Sequence, residues 1–244
     1  MLAIIIQARL ASTRYPGKIL KPIYKEKTVL DLLLENLGTL NIKLVIATTF
    51  NEPDKAIIET AHKHGVDYFR GDENNVLKRY IDCAKEYGID QIIRITSDNV
   101  FIQPDLIKPL IKLEDSDYDY ASYQIGNKNV VLTHWGFFGE FVTLKALKKV
   151  ISKSSDKKDL EHVTHYIYNH PYNFNLSFLN VPPELERYDI RLTIDIKEDF
   201  EICKEILNHL FRNNIEMNYK NILNYIDNNP SLLERMKYNI KHSK

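Results

Sequence analysis

Between residues 7 and 18 the sequence concentrates groups that bind phosphate: Gln7-Ala8-Arg9-Leu10-Ala11-Ser12-Thr13-Arg14-Tyr15-Pro16-Gly17-Lys18. Arginine offers a forked set of donors to phosphate oxygens, and lysine offers a compact positive charge. A loop that contains glycine lets main-chain N–H groups approach an anion. The spacing matches neither Gly-x-x-x-x-Gly-Lys-Ser/Thr nor Gly-x-Gly-x-x-Gly, so neither common phosphate loop accounts for it. On composition alone the stretch reads as a polyphosphate site or as a solvated basic loop. Two aspartates form a second signal. Asp98 and Asp195 each follow a short apolar run that reads as a strand, Ile92-Ile93-Arg94-Ile95 and Leu192-Thr193-Ile194. A carboxylate at a strand's carboxyl end, beside a triphosphate loop, is placed to hold Mg²⁺. By spacing alone either aspartate serves equally well as a helix cap.

The elements that must position these groups follow from periodicity. Ala3–Ile6 is a continuous apolar run, as expected of a strand buried on both faces. Further buried strands are expected at 43–47, 66–69 and 91–95. Helical spacing places helices at 29–37, 54–64, 76–87 and 104–113, and Gly65 and Gly88 end two of them. Strands alternating with helices over the first ~115 residues predict a doubly wound, mostly parallel α/β sheet of Rossmann-like type, whose ligands bind beyond the carboxyl ends of the strands. The alternation then breaks. Residues 118–142, rich in Tyr, Asn and Gly, read as a β-rich insert of strands and loops. Helices are expected at 140–151, 160–170 and 199–211, and over 219–238 with a break near Asn228-Asn229-Pro230. Strands are expected at 174–181 and 191–194. No repeat, low-complexity tract or linker divides the 244 residues. The reading is one domain, 1–244: a nucleotide-binding half (about 1–115), an insert with the acceptor and dimer region (about 116–190), and the second aspartate with C-terminal helices (about 191–244).

Thirty-three basic and 33 acidic side chains give a formal net charge of zero. This balance disfavours a nucleic-acid partner, although a neutral total permits a local basic pocket. The two cysteines, Cys83 and Cys203, have no zinc or redox spacing and read as reduced thiols in helices. The apolar start, Met1 to Ile6, is too short for a signal-peptide core or a membrane span, so a cytoplasmic location is expected.

The first loop resembles the signature of the CMP-sugar synthetase group of cytidylyltransferases, which includes CMP-Kdo and acylneuraminate cytidylyltransferases. It is most similar to the spore-coat polysaccharide biosynthesis branch. Further blocks match in order: Phe69-Arg70-Gly71-Asp72 with Val76-Leu77-x-Arg79-Tyr80, Arg94-Ile95-Thr96-x-Asp98, Glu161-His162-Val163-Thr164, and Arg191-Leu192-Thr193-Ile194-Asp195 with Glu198-Asp199-Phe200. The resemblance implies transfer of a cytidylyl group from CTP to a small, sugar-like acceptor. It implies Mg²⁺ held by Asp98 and Asp195, and reactive-centre roles for these two with Arg9 and Lys18. It also implies nucleotide contacts from Gln7, Ala8, Arg9, Ser12, Arg14, Lys18, Arg70 and Thr96. Arg79 reads as either a structural ion pair or a ligand contact.

Two departures bear on the acceptor. Ser97-Asp98-Asn99 stands where the family has Gly-Asp-Cys, and Gly136-Phe137-Phe138-Gly139-Glu140 where it often has Gly-Leu-Asp-Val-Glu. An anionic acceptor is expected, with His134, Glu140, His162, Arg187 and Arg191 as candidate contacts, though capping or ion pairing explains each cation equally. The aromatics of the insert suggest a homodimer, since such residues are enriched at interfaces; they equally suit internal packing or the acceptor pocket. A nucleotide-sugar-dependent glycosyltransferase and a non-catalytic nucleotide-binding module are the competing readings. A loop of this charge exceeds what a diphosphate-sugar donor requires, and a second carboxylate exceeds what binding alone requires.

Overall fold

The computed structural model describes residues 1–242. In chain order the elements are β1 (Leu2–Gln7), β2 (Pro22–Tyr24), β3 (Lys27–Thr28), α1 (Val29–Gly38), β4 (Leu44–Thr49), α2 (Lys55–Lys63), β5 (Asp67–Gly71), α3 (Val76–Glu86), β6 (Gln91–Thr96) and α4 (Pro104–Ile111). They continue with β7 (Tyr120–Ile125), β8 (Lys128–Asn129), β9 (Glu140–Thr143), α5 (Leu144–Lys153), α6 (Lys157–Glu161), α7 (His165–Asn169), β10 (Leu176–Asn180), α8 (Lys197–Arg212), α9 (Tyr219–Asp227) and α10 (Pro230–His242). Among them, no helix is long and apolar enough to cross a membrane.

The main sheet has eight strands in the order β10-β7-β9-β6-β1-β4-β5, with β8 added beside β7. The β6-β1-β4-β5 half is parallel throughout. β1 shows why the sheet is covered on both sides. Leu2, Ile4 and Ile6 enter one core with α1, α4 and α8, while Ala3 and Ile5 enter the other with α3 and α5. A strand buried on both faces must be apolar along its buried length, and Leu2 to Ile6 are, with the polar Gln7 only at the end that opens into the cleft.

The fold class agrees with the sequence expectation, and the helices at 29–37, 54–64, 76–87 and 104–113 form within a residue or two of their expected spans. Three local expectations do not hold. Residues 140–143 open no helix: they form β9, which runs antiparallel to both β6 and β7 and bonds to each. The expected insert therefore extends the main sheet. The expected 160–170 helix is two short ones, α6 and α7, interrupted where Val163 takes a left-handed φ of 49°, a conformation a β-branched residue rarely accepts. Residues 191–194 are irregular, not a strand. Their amides instead bond across the fold, Leu192 N–H to the His134 carbonyl (2.7 Å) and Ile194 N–H to the Asp98 carbonyl (3.1 Å).

Candidate active site

The carboxyl ends of β1 and β6 open into a cleft, as a parallel sheet requires. After β1 the chain turns through residues 8–17. The Leu10 carbonyl accepts from the amides of Ser12 (2.8 Å) and Gly17 (3.0 Å) and so closes the loop on itself. Gly17 has a φ of +69°, which a residue with a Cβ rarely adopts. That turn starts a single 3₁₀ turn at residues 18–20 and sends the Lys18 side chain back over the sheet. Its ammonium donates to Asp98 Oδ2 at 3.1 Å and to the Ile194 carbonyl, and lies 3.7 Å from Asp195 Oδ1. Lys18 thus stands between the two aspartates, 97 residues apart in the chain, that sequence reasoning singled out.

Two adjoining cavities share this floor. One, of about 350 Å³, is lined by the residue 7–18 loop, Arg79, Thr96, Ser97 and Glu161. The other, of about 430 Å³, is lined by Arg94, Asn99, residues 130–134, Phe138, Glu140 and Thr193. Gln7, Thr96, Asp98, His162 and Asp195 line both. In the first cavity Arg14 pairs with Asp195 at 2.9 Å. Arg9 donates to the Glu73 carbonyl at 3.2 Å and lies 3.6 Å from Glu161. Burial pushes the Asp98 carboxyl up, but the Lys18 charge and hydrogen bonds from Thr96 and Lys18 outweigh it and hold the group below its usual range.

A family model described as cytidylyltransferase matches residues 3–222. A Bacillus subtilis spore coat polysaccharide biosynthesis protein, SpsF, is 34% identical over 212 residues, covering 83% of this chain and 84% of its own. An uncharacterized protein of Methanocaldococcus jannaschii is 36% identical over 231 residues, covering 93% and 91%. The solved structure of a cytidylyltransferase from Leptospira borgpetersenii superposes with a TM-score of 0.84 at 30% identity, over 95% of this chain and 96% of that one. The chain belongs to the cytidylyltransferase family. A CMP-Kdo synthetase solved with CTP shares the fold at a TM-score of 0.64, with 13% identity over 85% of this chain and 98% of its own. The chain is therefore a CTP-dependent nucleotidyltransferase.

Of the nucleotide contacts expected in this cytidylyltransferase, Gln7, Ala8, Arg9, Ser12, Arg14, Lys18 and Thr96 all line the first cavity. Arg70 does not. It reaches the other way from β5, donating to the carbonyls of Thr49 (3.0 Å) and Phe50 (2.7 Å) and lying over the Phe50 ring. Arg79 lines the cavity with only 1% of its surface exposed and has no carboxylate partner among the described residues. It donates to the carbonyls of Asp72 and Glu73, so both Arg9 and Arg79 bond to Glu73. Burial lowers its pKa.

The acceptor candidates of the cytidylyltransferase divide. His134, Glu140 and His162 line the second cavity. Burial lowers the pKa of both histidines, and for His134 the nearby Arg191 adds to it. Arg187 lies outside both cavities, paired with Asp189 at 2.7 Å and with Asp227 at 2.7 Å. Arg191 is fully buried. It forks onto Asp199 at 2.8 and 2.9 Å, reaches Asp195 at 3.3 Å, and approaches His134 Nδ1 at 3.1 Å. Asp199 also accepts from the amides of Asp195 (3.0 Å) and Ile196 (3.2 Å), so this pair fixes the Asp195 loop.

Sequence reasoning missed the polar cluster beneath the second cavity. Arg94 on β6 pairs with Glu140 on β9 and donates to Gln7 Oε1 at 3.0 Å. Glu140 also accepts from Tyr120 (2.6 Å) and Thr164 (2.7 Å). The charge in the middle of the apolar β6 run was the available signal, because a buried cation requires a partner. The insert aromatics turn inward: Tyr120, Tyr123, Trp135, Phe137, Phe138 and Phe141 are all buried.

Proposed function

We propose that this enzyme transfers CMP from CTP to a hydroxyl of a small, sugar-like acceptor, with Mg²⁺ present and pyrophosphate released, during synthesis of a surface-polysaccharide precursor. The observation that carries this reading is Lys18 of the first cavity held between Asp98 and Asp195, the two carboxylates that line both cavities. One cavity is rich in phosphate-binding groups and takes the nucleotide. The other takes the acceptor, whose hydroxyl thereby lies next to the α-phosphorus.

The donor set fits magnesium. Among the described residues no three His, Cys, Asp or Glu side chains gather around one metal position. Two hard carboxylates, Asp98 and Asp195, flank the Lys18 ammonium, and Mg²⁺ characteristically takes one or two protein carboxylates, completing its shell with phosphate oxygens and water. When bound there, the ion would draw charge from the phosphates. Arg9, Arg14 and Lys18 bind and orient the triphosphate. The acceptor oxygen forms a bond to the α-phosphorus as the bond from that phosphorus to the β-phosphate oxygen breaks. The electron pair leaves with pyrophosphate, and the hydroxyl proton passes to solvent. Positioning and charge neutralisation supply the rate enhancement, as in other phosphoryl transfers.

The relatives support cytidylyl transfer over glycosyl transfer, and SpsF supports the polysaccharide setting. The test is pyrophosphate release from CTP with an acceptor panel, run beside nucleotide-sugar donors. Release of pyrophosphate from CTP is the expected result. Turnover of a nucleotide-sugar with none from CTP would overturn the proposal.

A further inference from the structure

His134 and Trp135 point in different directions. Trp135 is buried and its Nε1 donates to the Arg187 carbonyl at 3.1 Å, whereas the His134 ring lines the second cavity. The His134 carbonyl accepts from the amides of Leu192 (2.7 Å) and Thr193 (3.2 Å). The main chain therefore holds this residue in the cavity wall whatever side chain it carries.

Against the ring lies Arg191, which has no exposed surface. Its Nε and Nη2 bond to Asp199, and Nη2 also reaches Asp195. Nη1 remains, and it lies 3.1 Å from His134 Nδ1. A guanidinium carries donors only and stays charged. The ring nitrogen it meets must therefore accept, so Nδ1 bears no proton. A neutral imidazole has one N–H, and with Nδ1 bare it sits on Nε2. That nitrogen has no partner among the described residues. A second proton would have to enter at Nδ1, facing the guanidinium. Burial is the largest cause of a lowered His134 pKa; Arg191 and Lys128 add to it, and Asp195 and Asp199 oppose it without reversing it. His162, the other histidine of the lining, has no hydrogen bond to either ring nitrogen among the described residues, so nothing there fixes its tautomer.

We infer that His134 is a fixed, neutral hydrogen-bond donor that positions the acceptor through Nε2–H, with Arg191 setting its tautomer. The inference rests on the cytidylyl-transfer reading, with the acceptor in the second cavity, and deepens it. Its partner is an acceptor oxygen with a free lone pair, which hydroxyl, carboxylate and phosphate oxygens all offer. Because Nε2 already holds its proton, His134 binds the acceptor and does not take the proton of the attacking hydroxyl. Losing it should weaken acceptor binding and leave the chemical step in place.

The test has two arms, both on the full chain. With ¹⁵N-labelled histidine, two-bond ¹H–¹⁵N correlation reads the ring directly, and the His134 signals are those lost in His134→Gln. At about pH 6.5, where an unshifted imidazole is half protonated, the expected ring is neutral with its proton on Nε2. A proton on Nδ1, or a cationic ring at that pH, overturns the inference. The second arm measures pyrophosphate release with CTP, Mg²⁺ and a panel of hexoses, ulosonic acids, sugar phosphates and polyol phosphates, continuing with the member that turns over fastest. His134→Leu should raise the KM for that acceptor by about tenfold, the scale of one lost hydrogen bond in a recessed site. Its kcat and its KM for CTP should stay within about twofold of the parent. His134→Gln, whose amide supplies an N–H at similar reach, should recover most of the loss. An unchanged acceptor KM in His134→Leu, or a lower kcat at unchanged KM, overturns the inference and leaves cytidylyl transfer standing. Pyrophosphate from no panel member overturns the transfer reading, and the acceptor role of His134 with it.

Discussion

Replacing Arg191 with methionine tests whether the second aspartate is held from below. The guanidinium and the Asp199 carboxylate are both fully buried and meet through two bonds of 2.8 and 2.9 Å. Removing one partner of such a pair leaves an uncompensated charge, at a cost of about 3–5 kcal/mol. Asp199 retains three donors, the amides of Asp195 and Ile196 and the Asn239 side chain at 3.1 Å, which places the expected loss near the lower end, about 3 kcal/mol. For a chain of this size that corresponds to a fall in Tm of about 6–12 °C. Circular-dichroism melting would read it. D199L alone should also destabilise, and the double variant should lose less than the sum of the singles, with a coupling of at least about 1.5 kcal/mol. Below the melting range, turnover in Arg191→Met should still fall, because Asp195 loses its 3.3 Å contact. A Tm within about 2 °C of the parent, or strictly additive single losses, would refute the reasoning.

Asp98→Asn and Asp195→Asn should each lower kcat by about a hundredfold or more while the fold persists; near-parental pyrophosphate release in either would remove that residue from the reaction centre. In thermal-shift titrations with Mg²⁺, CTP at a hundred times its Kd should stabilise by about 2.7 kcal/mol, and UTP, ATP or GTP at the same concentration by less. A larger shift with a purine nucleotide would contradict the base assignment. Asp31 caps α1 and pairs with Lys63 and His64; burial raises its carboxyl pKa, but these partners outweigh it and hold the pKa well below its reference value of 3.8. Its contribution is therefore fully present above about pH 4 and is lost as the pH falls further. The urea midpoint of Asp31→Asn should lie below the parent's at pH 6, and the gap should narrow at pH 3. A gap that widens on acidification would reverse the assigned sign.

The nucleotide side was legible because its groups are contiguous. A dozen residues after β1 contain Arg9, Arg14 and Lys18, and the apolar runs before and after them are long enough to be read by period. The acceptor side was not, because its partners lie far apart in the chain. Residues 140–143 continue smoothly into the helical spacing of α5, and only pairing with β6, some fifty residues earlier, makes them a strand. The run at 191–194 is apolar like a strand, yet it lacks a neighbouring strand, so its amides bond to His134 and Asp98 instead. Arg187 and Arg191 carry the same charge in sequence. One is half-exposed in a surface pair and the other lies sealed in the core, a difference set by α8 and α9 packing nearby.

β9 also limits how this enzyme can be re-engineered. A segment that chooses the acceptor invites treatment as a cassette, to be exchanged between relatives while the nucleotide loop stays in place. Here β9 hydrogen-bonds on both edges, to β6 and to β7, and its first residue neutralises Arg94 on β6. Cutting out residues 116–190 would unzip the middle of the sheet and leave the buried Arg94 guanidinium at the second cavity without its carboxylate. Within 116–190, substitutions that leave the sheet intact are therefore those at cavity-lining side chains outside β9, from residues 130–138 and at His162, and a graft that succeeds must carry the Arg94 partner with it.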